Sequence, residues 1–246
     1  MRFRPALLTI ALAVTAAAPA RAADGSDPKA LQLMAQLRAL SGGGLLARHA
    51  AFHEAGTVLR DGKAGTYEVY TDLHSLRYAA THVIAGTPGG GGFDGRVVWR
   101  LGPDGKVTTT TDPKAIAQVK ANAALTLDAV NRPEAFPATF RYLGRKTYKA
   151  QILDVVEVRP ETGGSAELWL DRRTHHLRHV AITEGKESGA IDLWNDRVVD
   201  GAVVAFKNHQ VEGPHRTSQT LKTYEFIALD PRRFAPPGST DQHPDR

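Results

Sequence analysis

The chain contains no cysteine. This excludes disulfide staples, thiol catalysis and an acyl anchor on an N-terminal cysteine, so burial alone has to hold the core together. Long apolar runs are also scarce. The run from Ala6 to Ala18 is shorter than the roughly 20 residues a helix needs to cross about 30 Å of hydrocarbon. Charge of one sign is nearly balanced: 31 Lys+Arg face 26 Asp+Glu. Arg2, Arg4 and Arg21 fall within the first 22 residues, which hold no acid, so 28 cations face 26 acids beyond them. That excess is too mild for the concentrated basic surface of a nucleic-acid binder.

Signatures of catalysis are missing as well. No Gly-x-Ser-x-Gly occurs, and Gly185-Lys186-Glu187-Ser188-Gly189 has the wrong spacing for a nucleophile elbow. The glycine run within residues 86–95 is not closed by Gly-Lys-Ser/Thr and lacks a strand–helix setting. It therefore reads as a mobile loop, or as a gate over a groove, rather than as a phosphate cradle. Carboxylates such as Asp61, Asp104, Asp171 and Asp230 sit at turns, where backbone capping accounts for them. No catalytic residue, metal or cofactor is assigned on these grounds.

What is present begins with an export signal. Arg2 and Arg4 precede the apolar run, and Ala20-Arg21-Ala22 has the small-x-small pattern of a cleavage site. Residues 1–22 are expected to be removed, leaving a water-soluble periplasmic protein without stable membrane insertion. Asp27-Pro28 starts a helix carrying Leu33, Met34, Leu37 and Leu40 on one stripe, with Asp27 as its cap. Asp112-Pro113 starts a second helix, expected to run to Asn131, with Ile116, Val119, Ala123, Leu127 and Val130 on one face.

Elsewhere the apolar period is two. Tyr67, Val69 and Thr71 alternate with Thr66 and Glu68, and Val97, Trp99 and Leu101 alternate with Arg96 and Arg100. Further strands are expected at 139–143, 150–159, 166–170, 175–183, 189–199, 203–211 and 217–227, with residues 232–246 as a disordered tail. This gives a mainly β chain with helices: about ten consecutive strands in an antiparallel meander that has to curl, the helices covering its concave face. Trp99, Trp169 and Trp194 all fall on these strands. His175, His176 and His179 invite a metal, but on a strand only His175 and His179 share a side, so exposed hairpin histidines are the simpler reading.

Three segments carry a family resemblance. Phe93-Asp94-Gly95-Arg96-Val97-Val98-Trp99 looks like the strand entry of LolA/LolB-like outer-membrane lipoprotein carrier proteins. Glu167-Leu168-Trp169-Leu170-Asp171-Arg172-Arg173-Thr174 is similar to a hairpin of that superfamily, and Trp194 to Gly201 resembles one of its strand pairs. The sequence is also similar to domains that precede retropepsin-like proteases in some bacterial proteins. It contains no Asp-Thr/Ser-Gly motif, so proteolysis does not follow from that likeness.

The resemblance implies one domain over residues 23–231: a highly curved antiparallel half-barrel whose helices lid an apolar cavity for a lipid or lipoprotein acyl chain. The cavity candidates are Tyr67, Val69, Val97, Trp99, Leu168 and Leu170 from strands, with Ile116, Val119 and Leu127 from the second helix. A non-enzymatic, monomeric carrier is the leading expectation. A sensor that binds an envelope protein is the alternative, and a metal-dependent hydrolase using His175 and His179 comes third.

Overall fold

A computed structural model describes residues 25–41, 48–125, 129–185 and 187–238. The expected signal peptide and Leu127 lie outside the described residues. Helix α1 (Pro28–Leu40) comes first, followed by strands β1 (Ala51–Arg60), β2 (Lys63–Asp72), β3 (Tyr78–Ile84) and β4 (Thr87–Phe93). Short strands β5 (Val98–Leu101) and β6 (Val107–Thr110) precede helix α2 (Pro113–Ala123). The second run is β7 (Ala138–Tyr148), β8 (Gln151–Pro160), β9 (Ser165–Asp171) and β10 (Leu177–Glu184). It ends with β11 (Glu187–Val199), β12 (Ala202–Glu212) and β13 (His215–Ile227).

The described strands form one open antiparallel sheet of 13 strands, ordered β6-β5-β4-β3-β2-β1-β13-β12-β11-β10-β9-β8-β7. Sequence reasoning expected about ten. The difference lies mainly between Phe52 and Thr110, where short strands and a run of glycines carry little intrinsic β signal. Neighbouring strands in this sheet are mostly consecutive in the chain, as the meander reading required. Asp61 and Gly62 both have positive φ, at 49° and 78°, and join Arg60 to its partner Lys63 in a two-residue hairpin turn.

The chain divides into two compact units. The first holds His49–Val119 and the chain from Leu221 onward. In it, Asp112 caps α2, its side-chain oxygen accepting the backbone N–H of Lys114 at 2.9 Å. After β13 the chain forms a 3₁₀ turn, Pro231–Phe234, and Phe234 is only 1% exposed. The expected disordered tail therefore does not begin at Arg232: residues 232–238 belong to the described fold, because Phe234 supplies a large side chain to the interior.

The second unit holds α1 and the chain from Lys120 to Thr220. Leu33, Met34 and Leu37 are buried, as the stripe requires. Asp27 is not the side-chain cap it resembled. Its carboxylate instead accepts the N–H of Tyr142 on β7 at 2.8 Å, and its own N–H donates to the Phe140 carbonyl at 2.8 Å. With Ser26 Oγ accepting the Phe140 N–H, the chain entering α1 occupies hydrogen-bonding groups that edge strand β7 would otherwise expose. Helix α2 ends at Ala123 and continues as a π-helical turn at Ala124 and Leu125, and Ala129–Asn131 is helical beyond residues that lie outside the described ones. Ala124 and Leu125 are buried just after α2, and the Leu125 side chain lies beside Gly164.

Candidate functional site

The registers of the first unit set one face of its sheet. Phe52, Glu54, Val58 and Arg60 of β1 lie beside Tyr67 and Val69 of β2. These continue into Tyr78, Ala80, His82 and Ile84 of β3, and then into Gly89 and Phe93 of β4. Val98 and Arg100 of β5 complete the row. Phe93 and Val98 pack against Ala115 and Val119 of α2, with Leu76, Tyr78 and Ile116 around them. Burying each large apolar side chain there contributes about 1.5–3 kcal/mol.

Towards the β1–β2 and β3–β4 turns the same face changes character. Arg60, Lys63, His82, Ile84, Thr87 and Arg100 line a cleft of about 480 Å³, with Gly89 and Gly90 on its wall. Arg60 and Lys63 make no ion pair among the described residues. The face therefore has an apolar part under α2 and a cationic part at the hairpin tips.

The glycine segment is neither a loop nor a gate; it is strand β4. Its glycines are needed because two rings lie against it on opposite faces. A Cβ at Gly89 would stand 2.5 Å from His82 Nε2, and one at Gly92 would stand 2.5 Å from Cε2 and Cζ2 of Trp99. Trp99 is buried, and its Nε1–H donates to the Phe234 carbonyl at 2.9 Å. The sequence signal was present in the spacing of Gly89 and Gly92 relative to ring-bearing neighbours, but reading it requires the strand register.

Electrostatics mark one residue that sequence reasoning missed. Glu54 is only 2% exposed on the α2-covered face. Burial, followed by the negative charge of Glu54, raises the pKa of both the Tyr67 and Tyr224 phenols. Glu54 follows His53 in a polar pair on β1, so the local pattern does not mark it as a buried position. On the cationic part, burial first and then the Arg60 charge lower the His82 pKa. At the other end of β2, Asp72 is held by Arg77 at 2.6 Å and by the Ser75 hydroxyl at 2.6 Å.

The expected cavity residues separate into several places. Tyr67 and Val69 are buried on the α2-covered face, and Val119 and Ile116 pack onto it. Val97 precedes β5 and is half-buried, so Val98 takes the position facing α2. Trp99, one residue further on, points to the opposite face and meets Phe234. Leu168 and Leu170 are fully buried on β9 in the second unit. Trp194 is exposed, while Trp169 is half-buried.

The histidine cluster also resolves differently. His175 sits in the turn before β10 with φ 58°, and a register irregularity falls between Leu177 and His179. His175 and His179 therefore do not share a strand face. His179 is buried rather than exposed, with its Nδ1 2.8 Å from Asp192 Oδ1 and its ring among those of Tyr148 and Trp169. His176 pairs with Asp196 at 2.6 Å. Among the described residues no group of three or more His, Asp or Glu side chains is placed to hold a metal, and none of their helices is long and apolar enough to cross a membrane.

With this geometry in place, solved structures supply the comparison. A DUF1329 family protein from Desulfovibrio piger superposes with TM-score 0.56 at 12% identity, over 85% of this chain and 98% of that one. A putative outer membrane lipoprotein-sorting protein domain from Vibrio parahaemolyticus gives TM-score 0.54 at 12% identity, over 84% and 96%. The fold is LolA-like. A LolA superfamily protein from Nitrosomonas europaea agrees, with TM-score 0.54 at 11% identity over 84% and 97%. No protein-family model and no curated protein sequence matches the chain. The LolA-like likeness is thus one of fold, and the residues of this chain have to carry any statement about its ligand.

Proposed function

We propose that this protein is a non-enzymatic periplasmic binding or carrier protein that holds the acyl chain of a lipid or lipoprotein. The observation that carries the reading is the α2-covered sheet face, where Phe93, Val98, Ala115 and Val119 form an apolar cluster beside an open cleft. Each methylene moved from water into such a setting contributes about 0.8 kcal/mol, so a long chain gains much from a small contact area. A carrier must also release its cargo, which requires the covering helix to shift. The short apolar side of α2, whose buried residues are Ala115 and Val119, suits a cover of modest adhesion. The lipoprotein-sorting and LolA-superfamily names of two structural relatives favour the same reading, as does the expected signal peptide.

Native mass spectrometry of protein purified from a periplasmic extract, followed by solvent extraction and lipid analysis, tests the proposal. A bound acyl species at near-unit stoichiometry is expected. A clean apo mass, together with no uptake of added acyl lipids, would overturn it and leave the envelope-protein sensor as the reading to pursue.

A further inference from the structure

In the first unit, the face turned away from α2 carries its own row. His53, Tyr70, Ala79, Gly92 and Trp99 are successive register partners across β1 to β5, so they share one side of the sheet. The chain leaving β13 returns along this row. Arg233 donates from Nη1 to the Tyr70 hydroxyl at 3.2 Å, with its guanidinium 5.0 Å from the centre of that ring. Phe234 follows, its carbonyl accepting the Trp99 indole N–H at 2.9 Å and its ring 5.5 Å from the Arg77 guanidinium. The 3₁₀ turn Pro231–Phe234 is thus a strap laid from β2 to β5.

At the start of the row the His53 ring stands between two carboxylates. Its Nδ1 is 2.9 Å from Glu225 Oε1 on β13, and its Nε2 is 3.0 Å from Glu68 Oε1 on β2. An ionised carboxylate accepts hydrogen bonds and donates none, and a neutral imidazole has a single N–H. Both contacts are therefore hydrogen bonds only while the ring carries two protons. Tyr70 continues the chain: its ring stacks on His53 with centroids 4.6 Å apart, and its hydroxyl donates to Glu68 Oε1 at 2.7 Å while accepting from Arg233. Burial and then the bond to Glu68 push the Tyr70 phenol up to about 12, so it remains a donor throughout the range in which a histidine ordinarily titrates. The groups facing His53 are thus Glu68 and Tyr70 from β2, Glu225 from β13 and, through Tyr70, Arg233 from the strap.

We infer that His53 is a proton-operated clasp: its imidazolium ties β13 to β2 and holds the C-terminal strap on the Trp99 row, and loss of one ring proton loosens the strap. A neutral ring turns a lone pair towards one of the two carboxylates and leaves them without a cation between them. The clasp is therefore closed at low pH and opens as pH rises through the histidine range. Glu68 and Glu225 are about half exposed, so solvent screens the pairs and the consequence is local loosening rather than unfolding.

The clasp lies on the face opposite the α2 cluster and does not depend on the acyl-binding reading. Hydrogen exchange followed by NMR tests it on the purified protein. The probes are the Trp99 indole N–H and the Arg233 amide, which donates to the Asp230 carbonyl at 3.0 Å. Their protection, corrected for intrinsic exchange, is compared at about pH 5.5 and about pH 8.5. It is expected to fall about threefold or more at the higher pH. In His53→Gln, protection is expected to be low and equal at both pH values. Glu225→Gln, at a half-exposed position, keeps only the Glu68 contact and is expected to lose most of the difference.

Equal protection at the two pH values in the unaltered protein, or protection that rises with pH, would overturn the clasp. So would a difference that persists undiminished in His53→Gln, since another group would then operate the strap. The comparison in the unaltered protein needs no substitution, and matching circular dichroism spectra keep a change in either variant from being read as a loss of fold.

Discussion

Replacing Gly92 with alanine tests the account of β4 most directly. The added methyl would stand 2.5 Å from Cε2 and Cζ2 of Trp99 and 2.5 Å from the Tyr78 carbonyl oxygen. A strand backbone on one side and a buried indole on the other leave little room to yield. Inserting one methyl into a packed site costs typically about 1–3 kcal/mol. If Trp99 swings away, its Nε1–H loses the Phe234 carbonyl, adding about 1 kcal/mol. Against this, alanine restricts the unfolded chain and returns about 0.5–1 kcal/mol. The net expectation is a loss of about 2 kcal/mol, or about 4–8 °C in Tm for a chain of this size. Thermal unfolding followed by near-ultraviolet circular dichroism measures it, and altered tryptophan fluorescence should accompany the loss. Gly189→Ala is the control, because its methyl would meet only the Val211 carbonyl oxygen, at 3.3 Å. If Gly92→Ala melts within about 1 °C of the unaltered protein, the glycines of β4 are not there to seat rings, and the packing argument fails.

Two titrations extend the electrostatic reading. Burial of Asp72 disfavours its charge, but the Ser75 hydroxyl, the His74 N–H and Arg77 outweigh that and hold its pKa below the ordinary carboxylate value. Its contribution to stability is therefore present above about pH 4 and lost as pH falls through the lower folded pKa. Asp72→Asn should flatten the acid limb of a Tm-against-pH curve and cost about 3 kcal/mol at neutral pH, since Arg77 loses its buried partner. An unchanged acid limb would contradict the assignment. For His82, burial and then Arg60 depress the pKa, so its contribution is present above about pH 6.5 and lost as pH falls below that. In Arg60→Ser the His82 midpoint, followed by proton NMR, should move up towards the ordinary histidine value. An unmoved midpoint would show that the Arg60 charge does not reach the ring.

Much of the second unit was legible because its strands follow simple rules. Between Thr139 and Ile227 each expected strand corresponds to an observed one, since Val, Ile, Leu and aromatic residues alternate and turns punctuate them. The first unit was harder because its informative residues look uninformative in isolation. A glycine run reads as a loop unless the ring that fills the missing side-chain space is known, and His82 and Trp99 reach Gly89 and Gly92 only through the β3–β4 and β4–β5 pairings. Choosing Val97 and Trp99 as the inward pair was a one-residue register error, and period-two side chains turn such an error into a reversal of faces. Nothing local separates Val97 from Val98. What separates them is that Val98 pairs with Phe93, and that α2 lies over both.

The same logic explains why the cationic part of the site was not visible as a site. Arg60, Lys63, His82 and Arg100 are spread over residues 60–100, among residues that suit ordinary wet strand ends. They converge because consecutive antiparallel hairpins return their tips to one end of the sheet, and because even spacing along each strand keeps the charges on the face that carries the apolar cluster. Side chains far apart in sequence can therefore be gathered on one sheet face by a meander without any local motif. If Arg100 were moved one position, to 101, the pleat would place its charge on the opposite face, away from the α2 cluster.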